Sequence, residues 1–511
     1  MNVVRRICAC LIALGAFLVA AAPAAATSAT SPDYRAVDSF IQSQMSDAHL
    51  PGLALGIVHD GVISHLAGFG RADASGRPVT ADTPFIVGSV SKSFTALAVM
   101  QLVEAGAADL DASAKTYVPD FGLKDAGDSD RITVRQLLNQ TSGIPTAAGI
   151  DPLTGPVTSL ADQVHALAPV VPQSAPGAAY AYSNANYEVL GRLVELVSGQ
   201  TYSDYLQQHV FGPLGMTHSF ASLEPARTAG LAGGCPIWFG LAQCLTPGTG
   251  YRPDFVPAGF VISTASDMSR YMLAQLDGGS YAGQSLLSPA GVAEMHTAAA
   301  SAGLSAQGGG YGMGWFAGPH GHLAHTVWHD GSAAATHSMV LMLPDSGWGI
   351  VLLTNGESLL YSMLGRIDVI VDAVAAQLVG SAQPGTLAGL YIAFDAIVLV
   401  LAALQVRTLI RLLRTRGGRA RHRNQASKVI FEIIVPAWRE LVVPIGILIG
   451  LPAVFSAPWV NLVQTDVGVA ALGMAILLLG TGVLRIAKTL PVWTGRQHRE
   501  RSRQLIGAPA R

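Results

Sequence analysis

Stretches apolar enough to approach the width of a bilayer lie at the two ends of this chain, and they bound what can fold between them. At the start, Arg5 and Arg6 precede an apolar run from Ile7 to Ala22 and then Pro23-Ala24-Ala25-Ala26. A short positive region, an apolar core and small residues at the cleavage site predict a secretory signal peptide over residues 1–26. Three apolar stretches follow Thr386, at 387–406, 441–460 and 467–484, the second broken by Pro444 and Pro452. Charge divides at the same place. Residues 27–386 carry 13 Lys+Arg and 28 Asp+Glu, whereas residues 387–511 carry 16 and 5. Between Arg407 and Lys428 there are eight basic residues and no acidic one. Basic segments beside spans stay in the cytoplasm. The expectation is a membrane region over 387–511 with three transmembrane helices, a cytoplasmic basic loop at 407–428 and a cytoplasmic basic tail. The domain at 27–386 would then lie outside, in a multi-pass cell-membrane protein with lipid as one partner. An acidic domain joined to a basic, apolar tail is not the pattern of a nucleic-acid binder.

Four cysteines sharpen the compartment. Cys8 and Cys10 leave with the signal peptide, so Cys235 and Cys244 remain in the exported part. Two cysteines this close in an oxidising compartment predict a disulfide closing a small loop.

Within the domain, Asp33 to Ser46 has helical spacing, and Leu53–Val58 and Val62–Ala67 read as strands about the turn His59-Asp60-Gly61. Ser91–Glu104, Thr133–Asn139 and Asn186–Ser198 read as helices. Tyr311–Phe316, Ala335–Leu343 and Gly349–Leu353 read as strands, and Leu359–Leu378 as a long helix. Strands at both ends with helices between predict one α/β unit whose mixed sheet draws on both termini.

Three short motifs carry chemistry. In Ser89-Val90-Ser91-Lys92, the first turn of a helix puts a hydroxyl and an ammonium on one face. A serine hydroxyl is a poor nucleophile until a neighbour takes its proton. A buried lysine does this, because desolvation lowers its pKa. Phe85-Ile86-Val87-Gly88 and Phe94 to Met100 flank Lys92 with almost wholly apolar sequence, which predicts burial. The second motif is Tyr182-Ser183-Asn184, a phenol to shuttle a proton and an amide to bind substrate. The same tripeptide also reads as a helix start, with Ser183 or Asn184 as N-cap. The third is His329-Asp330-Gly331 before an apolar strand, with Gly331 allowing close approach and the Ser332 N–H as an oxyanion donor. His59-Asp60-Gly61 repeats that triplet in a hairpin, so order along the chain decides between the two.

In that order, Ser-x-x-Lys, Tyr-x-Asn and His-x-Gly resemble the serine β-lactamase and penicillin-binding protein superfamily, in particular its class C β-lactamase-related group. Phe85–Thr95, Ile132–Pro145, Pro213–Met216, Pro257–Met268 and Tyr311–Trp315 agree, so the resemblance covers roughly Asp33–Asn355. It implies a β-lactamase-like fold: an antiparallel sheet flanked by helices, plus a helical domain. It also implies Ser89 as nucleophile, Lys92 as base, Tyr182 as proton shuttle and Asn184 as substrate ligand, with His329, Gly331 and Ser332 lining the substrate. Two positions depart from the group. His329 stands where class C β-lactamases carry the Lys of Lys-Thr-Gly, and Gln140 stands where a His often precedes Thr-Ser-Gly. The expected activity is that of a serine hydrolase on small-molecule or peptide substrates, needing no cofactor. D-amino-acid peptides of the cell wall come first, and esters of acyl or D-alanyl groups second. A non-catalytic receptor acylated by β-lactams is the reading from another class. His320, His322, His325, His329 and His337 cluster in sequence but lack the matching carboxylates of a metal site, so no metal is expected.

Overall fold

The computed structural model of the chain describes residues 32–149, 155–238, 240–302, 309–333, 335–357, 366–381, 388–414, 444, 448 and 471–484. The chain divides into two units, Met1–Asp33 and Tyr34–Arg511, and the described helices and strands belong to the second. Helix α1 (Tyr34–Asp47) leads into β1 (Gly52–His59) and β2 (Val62–Gly70). Asp60 and Gly61 join the two strands, both with positive φ (49° and 79°), as a tight hairpin turn requires. The helices α2 (Ser91–Glu104), α3 (Val134–Leu138), α4 (Leu160–His165), α5 (Asn184–Ser198) and α6 (Ala265–Leu276) follow. The chain then returns to the sheet through β3 (Ala300–Ser301), β4 (Gly310–Tyr311), β5 (Phe316–His320), β6 (Leu323–Ala333), β7 (Thr336–Leu343) and β8 (Trp348–Thr354), and closes on α7 (Arg366–Val379).

The eight strands run β2-β1-β8-β7-β6-β5-β4-β3, every neighbour antiparallel. Both ends of the domain meet toward one edge of the sheet, where Leu53 pairs with Thr354. β7 and β8 are buried throughout, because helices cover both faces. Leu53, Leu55 and Ile57 turn outward with Ile350 and Leu352, toward Val37, Ile41 and Val371 of α1 and α7. Ala54 and Val58 turn inward with Val351 and Leu353, toward the helical middle of the chain.

The expected strand Tyr311–Phe316 is divided. Between β4 and β5 the chain turns at Gly314 (φ 76°), where a Cβ would sit 2.8 Å from the Lys92 carbonyl oxygen. A side chain there would push the turn off α2. The long helix expected from Leu359 is described over Arg366–Val379, and 358–365 lie outside the described residues.

The expected C-terminal membrane region is overturned. Among the described residues, no helix is long and apolar enough to cross a membrane. Helix α8 (Ala388–Arg414) covers the first expected span, but it carries Asp395 and runs on through Arg407, Arg411 and Arg414, whose side chains are exposed. Helical residues 471–484 cover part of the third. At about 1.5 Å per residue they rise roughly 21 Å, against about 30 Å of hydrocarbon. A hydropathy window registers apolar content without registering where a helix begins, ends or meets charge. The second span, apart from 444 and 448, lies outside the described residues. So do the signal segment, the basic loop beyond Arg414 and the tail from Arg485.

Cys235 and Cys244 form the expected disulfide. It closes a small hairpin in which Ile237 pairs with Ala242 and Trp238 with Leu241. The hairpin docks on the end of the sheet. Cys235 N–H donates to the Asn355 carbonyl at 2.6 Å, and Gly356–Glu357 pair alongside it. Replacing both cysteines by serine is expected to lower stability by about 2–3 kcal/mol, the loop-entropy value for a ring of this size. Urea titration measures the loss, and a non-reducing peptide map of the wild type should give one linked pair.

Candidate active site

Two strand residues, Phe85 and Ile86, pair with Ser263 and Ile262 and deliver the chain to the Ser89 turn. β7 clamps that segment: Ser338 Oγ donates to the Val87 carbonyl at 2.6 Å and Thr336 Oγ1 to the Ile86 carbonyl at 2.8 Å. Ser89 sits in the middle of the 3-10 turn Gly88–Val90, which runs straight into α2. Gly88 takes φ 52°, and a Cβ on it would lie 2.4 Å from the Ser332 nitrogen. A Cβ on Gly331 would lie 2.2 Å from the Val87 carbonyl and 2.7 Å from the Ser89 nitrogen. Two glycines thus let the nucleophile turn and β6 touch through their backbones. β5 ends its pairing at Trp328, so the following residues of β6 face this turn. The Ser89 and Ser332 nitrogens lie on the two sides of that contact, an arrangement able to present N–H groups to an oxyanion.

Lys92 is fully buried on the first turn of α2. Its Nζ donates to Ser89 Oγ at 3.2 Å, to Asn184 Oδ1 at 2.9 Å and to the Ala258 carbonyl at 2.6 Å. Burial pulls the ammonium down to about 7, against the opposing pull of Glu188 and Asp330. The Tyr182 ring lies 4.7 Å from Nζ. Burial raises the Tyr182 phenol well above its ordinary value, although its hydrogen bond with Ser89 works the other way. Of the two groups touching Ser89, the amine is therefore the one that is proton-free near neutrality, while the phenol holds its proton and can pass it on.

Tyr182 and Asn184 reach this cleft because the loop before α5 is pinned. Gln140, itself at φ 58°, accepts the Ser183 N–H on its Oε1 at 3.0 Å and also the Asn186 amide. Gln140 thus supports the Tyr182 loop, a role its sequence position did not reveal. Ser183 is the N-cap residue of α5, but its hydroxyl makes no cap bond and donates instead to the Pro145 carbonyl at 2.9 Å.

His329 is buried. Its Nδ1 donates to the Asp330 carbonyl at 2.6 Å, and its Nε2 meets the Tyr311 hydroxyl at 3.1 Å. Burial pulls the imidazole down to about 4, so it is uncharged at neutral pH. Gly331 and Ser332 lie at the nucleophile, whereas Cys235 and Cys244 lie at the end of the sheet. The other histidines are dispersed: His320 pairs with Asp372, His325 with Asp345 and His337 with Glu357. Among the described residues, no group of three metal-ligating side chains is placed to hold a metal ion.

Residues 37–375 match the Beta-lactamase family. This chain belongs to the β-lactamase family. Penicillin-binding protein 4 of Amycolatopsis lactamdurans is 33% identical over 329 residues, 61% of this chain and 82% of that one. Protein flp of Staphylococcus aureus is 26% identical over 439 residues, 83% of each chain. The octameric penicillin-binding protein homologue from Pyrococcus abyssi superposes with a TM-score of 0.59 at 27% identity, covering 69% of this chain and 78% of that one. As a β-lactamase-family protein with a penicillin-binding relative, it is a serine hydrolase.

One buried group escaped sequence reading. Glu188 follows Asn184 by four residues on α5, on the same helix face, and only that spacing could have flagged it. Gly331→Ala should leave the fold intact but displace the Ser89 turn, lowering kcat by about 10²-fold, the scale of losing one oxyanion donor. Initial rates together with a thermal melt would test this.

Proposed function

We propose that the domain hydrolyses D-amino-acid peptides of the cell wall through a covalent acyl-enzyme on Ser89. The observation that carries this reading is the Lys92 amine, brought by burial to about 7 and set 3.2 Å from Ser89 Oγ. Uncharged Lys92 takes the Ser89 proton as Oγ bonds to the substrate carbonyl carbon. The oxyanion is met by the Ser89 and Ser332 N–H groups. Tyr182 gives its phenolic proton to the leaving amine and recovers one from Lys92. Water then repeats the sequence on the acyl-enzyme and frees Ser89. Asn184 holds Lys92 by its Oδ1, which leaves its amide N–H₂ for the substrate. The 33% identity to a penicillin-binding protein supports penicillin as a substrate mimic.

A second reading, esters of acyl or D-alanyl groups, is favoured by His329. An uncharged imidazole with both ring nitrogens engaged is a poor anchor for the terminal carboxylate of a peptide or a penicillin. The Cys235–Cys244 bond supports work outside the cytoplasm, where disulfides persist.

Ser89→Ala should abolish labelling by a fluorescent penicillin and reduce turnover at least about 10⁴-fold. Unchanged turnover would end the acyl-enzyme reading. Wild-type kcat/KM should rise with pH through about 7, because Lys92 must lose its proton to act. Comparing a D-Ala-D-Ala peptide with a short-chain p-nitrophenyl ester separates the two substrates. Ester turnover without labelling or peptide cleavage would select the second.

A further inference from the structure

His329 and Gly331 lie two residues apart on β6, and so on the same face of that strand. Gly331 touches the Ser89 turn, so the imidazole sits one pleat from the nucleophile, with the Tyr182 ring 6.4 Å away. A charged ring at that range would favour an anionic substrate. The hydrogen bonds of the ring decide its charge. Nδ1 is 2.6 Å from the Asp330 carbonyl oxygen, which can only accept, so Nδ1 carries a hydrogen. Nε2 is 3.1 Å from the Tyr311 hydroxyl. In the uncharged ring Nε2 is an acceptor, and the phenol is its donor. Tyr311 is fully buried on β4, paired through its backbone with Ala300 on one side and Phe316 on the other. The rings of Phe316, Tyr180 and Tyr182 stand 4.8, 5.8 and 6.2 Å from its own, so its hydroxyl is held at the imidazole.

We propose that Tyr311 is a positioning residue for substrate selection: its hydroxyl occupies Nε2 of His329 and so turns the site away from substrates with a carboxylate beside the scissile bond, in favour of uncharged esters. The inference rests on the acyl-enzyme reading at Ser89 and deepens its ester branch by naming the residue that selects. Burial pulls the imidazole down to about 4, Asp330 of the same strand opposes that pull, and Lys92 of α2 adds to it. A hydrogen bond to the neutral ring acts in the same direction as burial, so its removal makes the ring easier to protonate. Tyr180, Tyr182 and Tyr187 are kept uncharged by burial, so the nearby phenols add no charge of their own.

The experiment uses the full chain and two substrates with one scissile ester: N-acetyl-D-alanyl-D-lactate, which ends in a carboxylate, and its carboxamide. Both need the uncharged Lys92 amine, so its titration and any general loss of activity cancel in the ratio of their kcat/KM values. From pH 8 to 5.5 wild type should prefer the carboxamide, with a ratio constant to within about twofold. In Tyr311→Phe the ratio should shift toward the carboxylate by about 3–10-fold over that range, the scale of a charge-assisted hydrogen bond to a partly protonated ring. Nitrogen NMR of histidine-labelled protein gives a second readout, with the His329 signal assigned by its loss in His329→Asn. Wild type should carry its ring hydrogen on Nδ1 alone at pH 7. Tyr311→Phe should move the midpoint of the ring's titration up by about one pH unit, the worth of one lost hydrogen bond. A wild type that prefers the carboxylate, or whose His329 is an imidazolium at pH 7, overturns the proposal without any variant. So does a Tyr311→Phe ratio that tracks wild type at every pH, the outcome of a packing role alone. Turnover that survives Ser89→Ala, or that wild type lacks on both esters, defeats the acyl-enzyme reading and this inference with it. Turnover lost in Ser89→Ala beside an unmoved Tyr311→Phe ratio defeats only the role of Tyr311.

Discussion

The catalytic half of this protein depends on a lysine kept where lysines are rarely found. Lys92 is fully buried and has three acceptors to hold it: a serine hydroxyl, an amide oxygen and a main-chain carbonyl. Each comes from a different part of the chain, so the amine is placed only when α2, α5 and the 257–260 segment have packed together. Three acceptors satisfy the hydrogen-bonding needs of the side chain without supplying a full negative charge. That combination lets desolvation prevail and brings the amine to its working range. A carboxylate in place of the Asn184 amide would hold the lysine permanently charged.

Around this point the fold is an exercise in backbone proximity. The nucleophile turn, β6 and the 310–316 segment approach within distances that side chains would prevent, and Gly88, Gly331 and Gly314 mark the contacts. The opposite face of the sheet is held differently. There α7 lays Asp372 against His320, while Glu357 meets His337 at the end of β8. A contact between a histidine and an aspartate tethers the closing helix, and close packing without side chains builds the site.

Much of this was legible in the sequence, for identifiable reasons. Ser89 and Lys92 stood out because a lone lysine between apolar runs needs a purpose. Tyr182 and Asn184 followed from their order along the chain, and the hairpin at Asp60-Gly61 from turn chemistry. The buried strands β7 and β8 were legible as unbroken apolar runs. Gln140 was visible only as an unexplained departure, since the loop it pins lies forty residues away. Glu188 resembled any glutamate on an amphipathic helix, because helix periodicity does not say which partner covers a face. The C-terminal spans misled for the opposite reason: apolar content was real, but helix ends and the embedded charges decide whether a helix can cross a bilayer. At His329 the sequence supplied the residue type without the direction of its ring.

The hydroxyls of Thr336 and Ser338 reach back about 250 residues to fasten the chain just before Ser89. Their strand lies between β6 and β8 in the sheet, and β8 pairs in turn with β1 near the start of the domain. Ser89 is therefore made early and fastened late. A chain long enough to contain Ser89, Lys92, Tyr182 and Asn184 still lacks the clamp that fixes the serine turn, so the candidate site is complete only when the domain is. Such long-range closure makes for slow folding. A copy truncated before β7 would carry these four side chains without the hydrogen bonds that fasten the serine turn.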